Sequence, residues 1–303
     1  MQIIKYKYWY LILSAVVLIP GIISLAVFKL NLAIDFTGGS VFEYSISELS
    51  APKNTVASDV KNIMQKDEVT VEQTQISKTT LTVRTKTVET KKILQLTSDI
   101  QKKYKDAKQE SFQTVGPAIG AETTKNAFLA LLVASVGILL YIAYAFRNIP
   151  KPYSSFKFGA SALIAMLHDA LVVLGIFSLL GHFLKVEIDA LFITALLTVI
   201  GFSVHDTIVV FDRIRENLNK LPHSWRFEEV VNYSVVETLN RSVATSLTVI
   251  ITLTALLLLG GESIKYFSLA LLVGIVSGTY SSIFNAAPIL VIWEEWNKKK
   301  RTQ

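Results

Sequence analysis

The chain has no cysteine, which excludes disulfides and thiolate metal sites and leaves the compartment open. It has no HExxH, so zinc hydrolysis of that kind is excluded, and no Gly-Lys-Ser/Thr phosphate loop, so any use of ATP belongs to another component. Charged residues are also scarce. At 18% they fall well below the roughly 25% of soluble chains, while 51% of the residues are hydrophobic. The apolar residues are clustered, which marks a polytopic membrane protein with one soluble insert. The formal net charge of +6 does not point to nucleic acid, because the cations collect in short loops beside apolar runs.

Stretches long enough to cross a bilayer, about 20 apolar residues each, lie near 8–28, 127–146, 158–181, 189–211, 240–260 and 266–292. The first is longer than the apolar core of a signal peptide and no small-residue cleavage site follows it, so it reads as a retained anchor. Lys5, Lys7, the Arg147–Lys157 and Arg213–Arg226 loops and the Lys298–Arg301 tail share one side. The short loops around Lys185–Asp189 and Gly261–Lys265 are not enriched in cations. The positive-inside rule then makes both termini cytoplasmic and residues 31–125 extracytoplasmic. The expected domains are 1–30 (N-terminus and first span), 31–125 (exterior domain), 126–292 (five-helix bundle) and 293–303 (basic tail).

The insert has its own pattern. Ser40–Ile46 alternates as a strand does, and Asn54–Gln65 is helical. Val69–Ile76 and Thr80–Thr87 alternate on either side of a tight polar turn. Thr90–Ala107 is helical, with Ile93, Leu96, Ile100 and Tyr104 on one face, and Gln109–Val115 closes as a strand. The order β-α-β-β-α-β predicts a ferredoxin-like α+β domain between the first and second spans. Acidic and basic residues nearly balance in it, so it carries no footprint for a polyanion.

Glycine-rich junctions bracket the insert, at Ala33–Gly39 and at Val115–Glu122. Gly38 and Gly39 permit positive φ and close backbone approach, and Pro117 after Gly116 is tolerated just before a helix. All four residues are expected to form hinges or docking corners between domain and membrane.

The most informative segment is Thr198–Asn217, an apolar helix that carries His205–Asp206 and then the charged run Asp212–Glu216. A carboxylate in such a stretch costs about 2.5 kcal/mol or more on insertion scales, so it points to ion or proton coupling. Ser203, one turn back, is placed to hydrogen-bond Asp206, and Arg241 opens the fifth span at a matching depth as its expected ion-pair partner. Thr245, Thr248 and Thr252 continue Arg241 along one helix face. They either line a water file or bond back to their own helix. His205 is a relay candidate that titrates near neutral pH, or an interhelical hydrogen-bonder. His168–Asp169, midway through the third span, supports the bundle or forms a second relay. Gly274 and Gly278 make a GxxxG face continued by Ser281 and Asn285, and it packs either inside the chain or against a partner. Gly201 is a further packing candidate.

AIDFTGG (33–39), VGPAIGAE (115–122), the His168–Asp169 pair, IGFSVHDTIVVFDRIREN (200–217) and NRSVATS (240–246) together resemble the SecF family of the bacterial Sec translocase accessory complex. The resemblance runs from the first span to the sixth. His205 departs from it, since the family usually has Asn before the aspartate. It implies an inner-membrane subunit of the resistance-nodulation-division superfamily that uses the proton-motive force, through Asp206 and Arg241, to promote preprotein export. The implied partners are SecD as a heterodimer, the SecYEG channel, YajC, unfolded preproteins and membrane lipid, with no cofactor, metal or catalytic residue. The implied protein is therefore not an enzyme. A stand-alone proton-driven exporter of lipid or small molecules, a non-transporting scaffold and an intramembrane aspartyl protease using Asp169 and Asp206 are the other classes. The last lacks the Gly-x-Gly-Asp signature. Whether the coupling ion is H⁺ or Na⁺ stays open.

Overall fold

The computed structural model describes residues 1–46, 53–67, 69–77, 80–88, 90–105, 107–147, 149–150, 152–222 and 224–302. The elements in chain order are α1 (Lys7–Phe28), α2 (Ile34–Thr37), β1 (Gly39–Ile46), α3 (Lys53–Lys66), β2 (Val71–Ser77), β3 (Thr80–Thr85), α4 (Thr90–Lys103), β4 (Ala107–Val115), α5 (Pro117–Ala145), α6 (Ser155–Leu184), α7 (Ala190–Lys220), α8 (Phe227–Leu259), α9 (Glu262–Ser281) and α10 (Ala287–Thr302). A 3₁₀ turn, Ile4–Tyr6, precedes α1, and a π-helical turn, Ser282–Ala286, joins α9 to α10. The chain divides into two compact units, Leu32–Phe128 and the remainder, Met1–Asn31 with Leu129–Gln303.

The smaller unit is one antiparallel sheet in the order β2-β3-β1-β4, with α3 and α4 supplying its core. Alternation buries Phe42 and Tyr44 of β1 and Leu81 and Val83 of β3 on one face. Against them pack Val56, Val60 and Met64 of α3, spaced by four, and Ile93, Leu96 and Ile100 of α4. Between Glu43↔Ser111 and Tyr44↔Gln109 the register shifts by one residue, which leaves Glu110 of β4 as a bulge. The element order matches the expected β-α-β-β-α-β, but several boundaries differ. The strand expected to Thr87 ends at Thr85. The one expected from Val69 starts at Val71. The helix expected to Ala107 stops at Lys103, because Ala107 pairs with Ile46 and opens β4. The polar turn expected at residues 78–79 lies outside the described residues.

The larger unit holds the six helices that are long and apolar enough to cross a membrane. The last runs from Glu262 to Asn297 through the π turn. Most overshoot the expected spans, since their ends continue into polar ground. α5 begins at Pro117, α7 runs to Lys220 and α8 starts at Phe227. The stretch 293–303, expected as a tail, continues α10 as helix to Thr302. The apolar stretches of α6, α7 and α9 are about half buried, while those of α1, α5 and α8 turn mostly outward.

Small residues set the helix contacts. Gly21 of α1 meets Gly175 of α6 so closely that a Cβ on Gly175 would lie 2.6 Å from the Gly21 Cα. Beside them the hydroxyls of Ser24 and Ser178 are 2.8 Å apart, and Ser178 also donates to the Lys29 carbonyl at 2.7 Å. Gly274 and Gly278 of α9 pack on Val199 and Ser203 of α7, so the GxxxG face works inside the chain. Asn285, in the π turn, finds its partner in α1, where Ser14 donates to its Oδ1 at 2.8 Å.

The charged ends are stitched together. Lys7 reaches Glu228 at 3.4 Å and Glu295 at 2.6 Å, and Lys157 meets Glu294 at 2.5 Å. In the run after Asp206, Arg213 pairs with Glu237 of α8, Asn217 donates to Ser234 at 3.0 Å and to Glu237 at 3.1 Å, and Arg215 donates to the Ala145 carbonyl at 3.2 Å. This charged segment is a seam that fixes α7 to α5 and α8.

Candidate functional site: two buried carboxylates between α6, α7, α8 and α9

Asp206 lies on the buried face of α7 with 6% of its surface exposed. Its Oδ1 accepts from Ser242 of α8 at 2.7 Å, and its Oδ2 has no hydrogen-bond partner among the described residues. Ser282 is beside it, but that hydroxyl points to the Gly278 carbonyl at 2.8 Å and lies 2.9 Å from Thr207 Oγ1. A carboxylate held by one oxygen and free at the other can take a proton on the free oxygen without breaking a bond.

Two expected partners of Asp206 are placed elsewhere. Arg241 is exposed and forms no ion pair with Asp206, because the helical turn puts the next residue, Ser242, on the buried face. Ser203 turns to α6, where it donates to Asp169 at 2.5 Å. His205 is exposed, about 100° around the helix from Asp206, and Gly201 on the same side has nothing within 4 Å of a built Cβ. Thr245, Thr248 and Thr252 are exposed as well, and their hydroxyls donate to carbonyls of their own helix at 2.7–3.0 Å. These are the back-bonds of one of the two readings for this stripe, and they leave the hydroxyl oxygens on the exposed side able to accept.

Asp169 is the more elaborate centre. It is fully buried, and four donors from three helices converge on it. Oδ1 accepts from Ser277 at 2.7 Å and contacts His168 Nδ1 at 3.0 Å. Oδ2 accepts from Ser203 and from Ser281, each at 2.5 Å. Ser281 and Ser282 are consecutive, so one turn of α9 and its π segment touches the surroundings of both aspartates. Sequence reading singled out Asp206, Asp169 and Ser281 but missed Ser242, Ser277 and Ser282. The available signal was the Ser277–Ser281 spacing of four on the glycine face, and the Ser that directly follows Arg241.

The glycine junctions form a packed corner in the smaller unit. Gly38 (φ +71°) ends α2, and its N–H donates to the Ile34 carbonyl at 2.8 Å. A Cβ on Gly38 would sit 2.9 Å from the Pro117 Cα, and one on Gly39 (φ +124°) would sit 2.8 Å from the Thr85 carbonyl oxygen. Gly116 is open, and Pro117 is the first residue of α5. Arg84 locks the corner by donating to the Leu32 carbonyl at 2.9 Å and to Thr37 Oγ1 at 2.5 Å. All of these contacts lie within the smaller unit.

Six spans, a small antiparallel domain between the first and second, and buried aspartates where the helices meet define a multi-pass α-helical membrane protein with a polar centre. Two family models match the chain. "Protein export membrane protein SecD/SecF, C-terminal" covers residues 95–296, and "SecD/SecF GG Motif" covers residues 23–47, the stretch that holds Gly38–Gly39. The chain belongs to the SecD/SecF family of protein export membrane proteins. It is similar to protein translocase subunit SecF of Thermobaculum terrenum, 46% identical over 97% of this chain and 94% of the relative. It is also similar to SecF of Anaerolinea thermophila, 40% identical over 98% and 96%. The crystal structure of SecDF from Thermus thermophilus, a translocon-associated membrane protein, superposes with a TM-score of 0.83 at 33% identity. It covers 97% of this chain, which spans 39% of that one. In Bacillus subtilis the corresponding match is part of a longer chain, protein translocase subunit SecDF, of which this chain covers 38% at 35% identity.

Proposed function

We propose that this protein pairs with SecD in the inner membrane and uses the proton-motive force to promote preprotein export at the SecYEG channel. The single observation that carries the proton reading is Asp206: buried at the meeting of α7 and α8, held by Ser242 on one oxygen and unpartnered on the other. Such a group can cycle between carboxylate and carboxylic acid with small rearrangement, and one charge moved across 100 mV is worth about 2.3 kcal/mol.

The pairing with SecD is supported by the longer relative that is named SecDF and by the outward polar stripe of α8. Arg241 on an apolar span needs a counter-charge or water, and its exposed side faces away from this chain's own bundle. The cation-rich loops support a reading with both termini in the cytoplasm and residues 31–125 outside, where the sheet domain would meet the unfolded preprotein. In this reading the protein is a coupling subunit without catalytic residues, and YajC and lipid are neighbours in the assembly. The coupling ion is H⁺, since an oxygen with a free lone pair suffices for it.

Complementation with Asp206→Asn tests this at matched membrane abundance, following export as the proton gradient is collapsed and restored. Loss of the gradient-dependent part supports the reading, and full rescue refutes it.

A further inference from the structure

Asp169 differs from Asp206 in having no acceptor position to spare. Four donors fill its two oxygens, an arrangement suited to a carboxylate that carries no proton of its own. An isolated buried carboxylate costs several kcal/mol, and three serine hydroxyls bring dipoles but no charge. Among the described residues the one side chain in contact with Asp169 that can become a cation is His168. With both Asp169 oxygens acting as acceptors, His168 Nδ1 carries a hydrogen toward Oδ1, which leaves Nε2 as the variable position.

That nitrogen is buried and has no hydrogen-bond partner among the described residues, in a side chain that is 10% exposed. The imidazole also lines a cleft of about 450 Å³ between α1, α6 and α9, bordered by Ser14, Val17, Val172, Val276 and Tyr280. Apart from its serines and Tyr280 the cleft is apolar, and the Tyr280 hydroxyl is already given to the Tyr10 carbonyl at 2.8 Å. No lining residue from α1 is titratable or charged. α6 brings His168 with Asp169 behind it, α9 brings Tyr280, and α7 adds only the Ser203 hydroxyl to the carboxylate.

We propose that His168 and Asp169 form a second proton-binding site, separate from Asp206, which takes its proton at the unpartnered His168 Nε2. A hydronium that reaches Nε2 gives its proton to the lone pair and leaves as water. A new N–H forms at Nε2, Nδ1–H stays on Asp169, and the pair passes from one net negative charge to none. The consecutive Ser281 and Ser282 then connect the two sites, since Ser281 holds Asp169 and Ser282 adjoins Asp206. The π turn that begins at Ser282 is a place where one residue of register can be taken up or released. This site rests on the proton coupling proposed above.

The test is ¹⁵N-histidine NMR of the full chain in nanodiscs, with the His168 signals among the four histidines assigned through His168→Gln. The expected result is that Nδ1 keeps its hydrogen throughout while Nε2 gains one as pH falls through the range of about 8 to 5, and that Asp206→Asn leaves this change in place. A His168 that holds a single protonation state over that range overturns the proposal.

Export assays separate the two claims. Loss of gradient-dependent export in both His168→Gln and Asp206→Asn supports both. Loss in Asp206→Asn with wild-type behaviour in His168→Gln overturns the second site alone. Full export in Asp206→Asn refutes the proposed function, and the NMR result then decides whether His168 binds a proton at all.

Discussion

Adding one methyl group at Gly175 puts the crossing of α1 and α6 to a quantitative test. In Gly175→Ala the new Cβ would stand 2.6 Å from the Gly21 Cα and 3.0 Å from its carbonyl carbon, both backbone atoms that cannot rotate away. Carbon atoms in contact sit about 3.5–4.0 Å apart, so the helices must separate by roughly 1 Å. The Ser24–Ser178 hydroxyl pair, now 2.8 Å apart, then passes out of hydrogen-bond reach. Overpacking costs about 1–3 kcal/mol and a lost interhelical hydrogen bond about 0.6–1.7. The better helix propensity of alanine returns up to about 1 kcal/mol, for a net loss of about 1–4. Gly137→Ala is the control, because a Cβ there meets nothing within 4 Å, and Gly21→Ala, whose nearest contact is 3.1 Å, should fall between the two. SDS titration of the purified variants, read by tryptophan fluorescence, should rank the midpoints Gly137→Ala, Gly21→Ala, Gly175→Ala from high to low. A Gly175→Ala midpoint equal to that of Gly137→Ala would falsify the close-packed crossing.

Other perturbations give separate readings. Arg84→Ala removes two charge-assisted bonds at the glycine corner, worth about 1.5–3 kcal/mol each, and should make residues 32–39 the first site cut in limited proteolysis of the full protein. An unchanged digestion pattern would count against the lock. Gly38→Ala combines φ +71° with a contact of 2.9 Å to Pro117 and should open the same site, whereas Gly116→Ala, with open space around it, should not. In the sheet domain the Tyr104 hydroxyl donates to Asp59 at 2.8 Å, and burial followed by the Asp59 carboxylate pushes the phenol up to about 12. Because its folded value is raised, this contribution is complete below the ordinary phenol value of about 10 and is lost as pH rises toward about 12. Phenolate absorbance should include a late-ionising fraction, and Tyr104→Phe should remove one tyrosine's share of it. Asp59 has the opposite sign. Hydrogen bonds from Lys103 and then Tyr104 hold it below the usual carboxylate range, so its contribution is present at neutral pH and is lost as pH falls through the folded value. Asp59→Asn should flatten that acid limb in a stability-against-pH series.

Much of this molecule is legible in one dimension because its strongest constraints are periodic or compositional. Each span had to be a run of apolar residues, since lipid cannot satisfy free backbone groups, and all six were readable to within their polar ends. The small domain was readable for a similar reason: alternation at Phe42 and Tyr44 and the four-residue spacing of Val56, Val60 and Met64 each have one packed solution. Asp206 and Asp169 stood out because a carboxylate in an apolar helix is rare and costly.

What tertiary structure alone decided is which side chains face these carboxylates. Sequence offered Arg241 and Ser203 to Asp206, but a difference of one residue, 100° of helix, gives it Ser242, and the face that carries Ser203 belongs to Asp169. The choice between packing inside the chain and packing on a partner, undecided for Gly274 and Gly278, was likewise settled by the rotation of α9 against Val199 of α7. Depth along a helix follows from counting residues. Azimuth around it depends on how neighbouring helices cross, and that angle is set by every small residue at the contact, from Gly21 and Gly175 to Ser277 and Ser281, acting together.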